Sequence, residues 1–421
     1  MSDAGNATKS TRRTYLFPAV ALVLAVVVFV SIYTGLFSAR SAGSSSTLES
    51  LSVCSTAQGD GAVVACARTV IDRLLETHTT AELMSMTATG TYPTVFRGCH
   101  SLGHMIGIET YKKNGSLEKA LSQCTQDCNH ACVHGALSSA IQDEFKETYP
   151  EEDIAHSGAA EIESIAKKYC DRSFALCHGV GHILLIATND FEKAVESCDT
   201  ISDDLPEERC LGGVFMQGAG GLRAFQIGSS SEEIARPKND YRFPCDKIQE
   251  KFSHGCLQFL PEYENVLFEA QGVTDPAKKL GLAVQTCETF AGFKHRSCFE
   301  GIGRYMGEKN IFPAYTADKI ATCEQFTDRE DAESCVLGKV SLLTQVGNDA
   351  SAIAYCATLQ KSNTQNLCYQ AFFQYRKVTS AADGIKACGA ATQAETCVAQ
   401  VDTYLAVKNS LPNYYYGLTE E

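Results

Sequence analysis

Apolar positions follow two regimes along the chain. The first is one unbroken run, Tyr15 to Phe37, 23 residues without a charge. At ~1.5 Å per residue it extends about 34 Å, enough to cross a bilayer core. Pro18 falls in its first turn, where a missing N–H costs little. Tyr15 and Tyr33 stand near its ends, as interfacial aromatics do. The second regime covers the remainder. Apolar residues recur there at three- and four-residue steps, as in Cys298, Phe299, Ile302, Tyr305 and Met306, the stripe of an amphipathic helix. No stretch reads as a series of alternating strands. The pattern predicts an all-α protein: a single N-terminal transmembrane helix followed by an array of α-hairpins, an α-solenoid.

Charge orients the first segment. Lys9, Arg12 and Arg13 precede it, offset by Asp3, so the positive-inside bias places residues 1–14 in the cytoplasm and the bulk of the chain outside it. A cleaved signal peptide is the rival reading. Its apolar core is ordinarily ~7–15 residues, shorter than this run, although Ser38-Ala39-Arg40-Ser41-Ala42 offers small residues to a peptidase. Residues 38–50 are rich in Ser and Gly and read as a flexible stalk.

All 20 cysteines lie beyond the stalk, a number that points to an oxidising compartment or to metal thiolates. Eighteen form close pairs: 54/66, 124/132, 170/177, 198/210, 245/256, 287/298, 323/335, 356/368 and 388/397. Late in the chain the first members recur at 287, 323, 356 and 388, a period in the thirties that suits helical hairpins. One disulfide per hairpin, closing about a dozen residues, contributes roughly 3 kcal/mol in the chain-entropy model. Gly135, Gly213, Gly301 and Gly338 each stand three residues after a cysteine, where a missing side chain lets helices approach closely. Cys99 and Cys128 are left over. They suggest a tenth disulfide, with a thiol pair for metal or redox chemistry as the alternative.

The recurring Cys…Cys-x-x-Gly over residues 245–405 resembles the disulfide-stapled, Sel1-like and TPR-like α-hairpin repeat proteins. The resemblance implies architecture only: a curved scaffold on which a protein partner can dock.

A sharper self-similarity lies earlier. Residues 99–124 and 177–198 share Cys-His-x-apolar-Gly-His, an apolar run, then Glu-Lys-Ala-apolar-x-x-Cys. The domain reading is therefore a histidine-bearing helical domain at 51–225 containing this duplication, a loop at 226–244, cysteine-paired repeats at 245–405 and a tail at 406–421.

Histidine spacing carries the chemistry. Six of 10 histidines form pairs four residues apart, His100/His104, His130/His134 and His178/His182, where random placement gives well under one such pair. Such residues share a helix face. Two imidazoles so placed can hold one metal ion, and two pairs on facing helices complete a four-nitrogen site. Imidazole-rich sites suit zinc, copper or iron. Glu109 and Asp127 fall into no ligand motif, and the Glu-x-x-His of di-iron carboxylate proteins is absent. Single histidines, at 78, 156, 254 and 295, read as surface or core.

With Lys+Arg 36 against Asp+Glu 50, the net charge of −14 argues against nucleic acid as a partner. Haem-attachment, metalloprotease, P-loop, dinucleotide and nucleophile-elbow motifs are all missing. The expectation is a membrane-anchored, extracytoplasmic, multi-histidine metal protein, either a metal-dependent hydrolase or oxidoreductase or a non-catalytic metal binder. The alternative is a metal-free repeat scaffold for protein partners.

Overall fold

The computed structural model describes residues 48–57, 60–89, 96, 99–151, 154, 159–201, 209–220, 240–305, 323–345, 348–389 and 393–411. Among these residues every regular element is a helix. A 3₁₀ helix, Ser50–Thr56, is followed by α1 (Asp60–Leu74), α2 (Thr80–Thr89), α3 (Cys99–Asn114), α4 (Leu117–Leu121), α5 (Asp127–Thr148) and α6 (Ala159–Cys170). Next come α7 (Phe174–Thr188), α8 (Phe191–Ile201) and α9 (Cys210–Gly220), then α10 (Glu250–Ala270), α11 (Pro276–Cys287) and α12 (Gly292–Tyr305). The last five are α13 (Arg329–Gln345), α14 (Asp349–Thr358), α15 (Ser362–Tyr375), α16 (Ala381–Cys388) and α17 (Ala394–Val407). None of the described helices is long and apolar enough to cross a membrane, and residues 15–37 lie outside the described residues.

Local chemistry explains several boundaries. Ser173 opens α7 by accepting from the Leu176 N–H, and Asn189 closes it in the left-handed region that ends helices. Asp275 caps α11 just ahead of Pro276, whose lack of an N–H is harmless at a helix start. Ser380 and Asp383 cap α16 reciprocally.

The hairpins stack into an array with two roles for the helices. α3, α5, α7, α9, α10, α12, α13, α15 and α17 each pack on the next, forming one continuous inner row. The shorter partners α4, α6, α8, α11, α14 and α16 cover it. Nine disulfides join the pairs read from spacing, with sequence separations of 7 to 12 residues. So many disulfides indicate an extracytoplasmic environment. The expected tenth bond is not formed. Cys99 and Cys128 are thiols whose sulfurs are joined by a hydrogen bond.

The inner row is held at backbone contact by glycine. A Cβ on Gly107 would lie 2.0 Å from the Cys132 carbonyl oxygen, and one on Gly135 would lie 2.0 Å from that of His104. Gly181 and Gly213 bind α7 to α9 in the same reciprocal way, as Gly303 and Gly338 bind α12 to α13. Two apolar cores result. One collects residues from 48 to 106 together with Cys132, and the larger one runs from Leu117 to Tyr404. The histidines of α3 and α5 sit where the two cores meet.

Candidate metal centre

Three successive inner helices deliver the histidines: α3 carries His100 and His104, α5 carries His130 and His134, and α7 carries His178 and His182. Because α3 and α5 touch backbone to backbone at His104 and Gly135, His104 is brought beside His134. The rings crowd accordingly. His104 lies 5.4 Å, centroid to centroid, from both His134 and His182, and His134 is 5.4 Å from His182. His100 is 4.4 Å from His104 and 5.7 Å from His134.

Four of the six expected residues, His100, His104, His134 and His182, each offer one nitrogen to a set lying within 4.8 Å of one another. His178 adjoins this set without belonging to it. Its ring stacks on His134 at 5.0 Å and meets His182 edge-on at 5.0 Å. His130, half-buried on the first turn of α5, is not brought into the set. Glu109 is engaged elsewhere, by Arg68 at 2.6 Å, and Asp127 accepts from Thr125.

Hydrogen bonds orient two of the rings. His100 Nδ1 donates to the Cys128 carbonyl oxygen at 2.7 Å, and His182 Nδ1 donates to Gln217 Oε1 at 3.1 Å. A ring that donates through Nδ1 presents an unprotonated Nε2, the ligand form. His100 Nε2 and His104 Nε2 are 2.8 Å apart. Two imidazole nitrogens that close need a proton or a cation between them. His134 Nδ1 is buried without a hydrogen-bond partner among the described residues, an unusual cost for a polar atom.

The electrostatics favour neutral rings. Burial holds His100 down to about 4, against the opposing pull of its bond to Cys128. His104, His134 and His182 fall well below the ordinary histidine range, first through burial and then through their imidazole neighbours. Burial lowers His130 as well. Metal ligation requires unprotonated imidazole, so the cluster needs little proton release to bind. Four neutral nitrogens would leave a bound divalent ion its full charge. A tetrahedral ion with ~2.0–2.1 Å bonds holds its nitrogens about 3.4 Å apart. The 2.8 Å pair would open and the wider pairs would close by side-chain movement. The donors present fit a transition-metal ion.

Gln217 and the Cys128 carbonyl escape sequence reading. Gln217 lies in no motif; its position one inner helix beyond α7 is its only signal. A backbone carbonyl has no signature at all. The hydrogen bond between Cys99 and Cys128, followed by burial, pushes the Cys128 thiol up.

A second buried polar cluster lies farther along the row. His254 Nδ1 donates to Ser297 Oγ at 2.9 Å, Gln258 Nε2 donates to His254 Nε2 at 3.0 Å, and Glu300 lies 3.6 Å from His254. No family model, curated protein or solved structure matches the chain.

Proposed function

We propose that the protein is a membrane-anchored, extracytoplasmic metal protein whose centre is one transition-metal ion bound by His100, His104, His134 and His182. The observation that carries this reading is the convergence on one point of four imidazole nitrogens from three separate helices, three of them on buried histidines and the fourth on half-buried His100. His178 stands beside the centre as a fifth imidazole, available to complete or exchange a ligand. Zinc, copper and iron all suit such a donor set. The apolar run 15–37 supports the membrane anchor, and the disulfides support the outward orientation.

Elemental mass spectrometry on protein made under oxidising conditions without a histidine tag tests it. About one equivalent of transition metal is expected, lost in the double variant His104→Ala, His134→Ala. Full occupancy in that variant, or no metal in the parent after reconstitution, contradicts the assignment.

A further inference from the structure

We infer that Cys99 and Cys128 form a thiol–disulfide exchange site that controls the metal centre, the control resting on the metal reading above. Their setting differs from that of the nine staples. Each staple joins a helix to the segment just before it, over 7 to 12 residues, and eight of the nine end on an inner helix. Cys99 and Cys128 are 29 residues apart in sequence and connect two inner helices, α3 and α5, across the face that carries the histidines. In seven of the nine staples both residues are buried, whereas Cys99 and Cys128 are both half-buried. Thiol–disulfide exchange depends on such access. Their sulfurs are already hydrogen-bond neighbours, so oxidation requires only a local movement at the first turn of α5.

The link to the metal is direct. Cys99 precedes His100 in sequence, and the Cys128 carbonyl is the acceptor that fixes the His100 ring. Cys128 itself holds a left-handed backbone, φ 55°, a conformation few side chains adopt without constraint. Disulfide formation brings the sulfurs to about 2.05 Å. That draws the first turn of α5 toward Cys99 and displaces the carbonyl from His100 Nδ1. The dithiol is therefore the form with the ligand correctly oriented.

The oxidant is a small disulfide. One cysteine thiolate attacks a disulfide sulfur, forming a mixed disulfide and releasing one thiol. The second cysteine then attacks the mixed disulfide at the protein sulfur and releases the second thiol. Two protein S–H bonds are lost, one protein S–S bond is gained, and both protons leave with the reduced small thiols.

The test is a redox titration of the full chain in oxidised and reduced glutathione, read by differential alkylation and mass spectrometry, with and without zinc. Cys99 and Cys128 should convert together at one midpoint while the nine staples remain intact. Zinc should move that midpoint to more positive potential, by about 30 mV for each tenfold preference for the dithiol form. The variant Cys99→Ser leaves Cys128 and its carbonyl in place and should bind zinc within about threefold of the reduced parent at every poise; zinc affinity that still falls in oxidising buffer in this variant overturns the control. Independent alkylation with no disulfide at any poise, or conversion only together with the staples, overturns the exchange site. A cycling pair whose midpoint ignores bound zinc overturns the control. A cycling pair in a protein that takes no metal upholds the exchange site and contradicts the metal reading instead.

Discussion

The inner row of helices buries histidine twice, and it treats the two cases differently. In the C-terminal half, His254 is settled by ordinary partners, a serine hydroxyl on one nitrogen and a glutamine amide on the other, with Glu300 close by. In the N-terminal half the imidazoles face one another, and among the described residues no carboxylate joins the four-nitrogen set. The same scaffold thus shows how a buried histidine is satisfied by protein groups and how a cluster looks when the protein supplies chiefly more imidazole. A polar network completed by its own side chains stabilises a fold. One built from like, neutral acceptors is suited to a cation.

Substitutions at the glycine contacts should break the comparison most severely. Gly135→Val would put side-chain atoms into the His104 carbonyl, forcing α5 from α3. Overpacking of this kind costs about 1–3 kcal/mol or more, and metal binding should disappear with it. Gly338→Val meets the Glu300 carbonyl in the same manner. It should destabilise to a similar degree in thermal denaturation while leaving metal affinity unchanged.

His254→Ala is next in size. It strands Ser297 and Gln258 in the interior and should cost about 1–3 kcal/mol, with metal content at the parent level. Gln217→Leu should act in the opposite sense. It removes the acceptor that orients His182 and should weaken metal binding roughly 10–100-fold, readable by competitive chelator titration, with little change in folding.

The pH response reads the same groups without a substitution. His254 has a folded pKa lowered by burial to about 4, from an unfolded value near 6.5. The unfolded chain therefore binds more protons between these values. Stability from this group is fully present above pH 6.5 and falls toward pH 4, by up to tenfold in the folding ratio per unit. Glu264 opposes it, because burial pushes its carboxyl up to about 8, so its contribution is lost as pH rises from about 4.5. The metal-free cluster adds to the acid limb, since burial lowers its histidines too. Bound metal keeps these imidazoles unprotonated, so it should raise the parent's urea midpoint at pH 7 and leave its limb between pH 4 and 7 at least as steep, with no such rise in the variant His104→Ala, His134→Ala.

Much of this arrangement is legible in the sequence, for a physical reason. Spacing fixes what is local: an i, i+4 pair must share a helix face, and a cysteine a dozen residues from its partner closes one hairpin. His100/His104 and the nine staples belong to this class. Which pairs converge is set by the packing register, which spacing does not encode. The duplication aligns His104 with His182, yet Gly135 meets the His104 carbonyl while Gly213 meets that of His178. The second helix pair is thus shifted by one turn. Against α5, where Gly179 lies beside His134, His182 enters the four-nitrogen set and His178 adjoins it. The pairing of Cys99 with Cys128 was similarly a remainder after nine local pairs. Remainders show proximity without showing oxidation state. Pro261 shows the reverse case, a local rule answered by tertiary packing. Proline removes the hydrogen bond to the Leu257 carbonyl, and Gly301 of α12 packs against that oxygen, its Cβ position only 2.3 Å away.

The most direct test of the metal centre is X-ray absorption at the edge of whatever transition metal the reconstituted protein retains. The expected result is a first shell of about four nitrogens at ~2.0–2.1 Å with the outer scattering of imidazole rings. A first shell dominated by sulfur, or by oxygen without imidazole scattering, would contradict the four-histidine assignment.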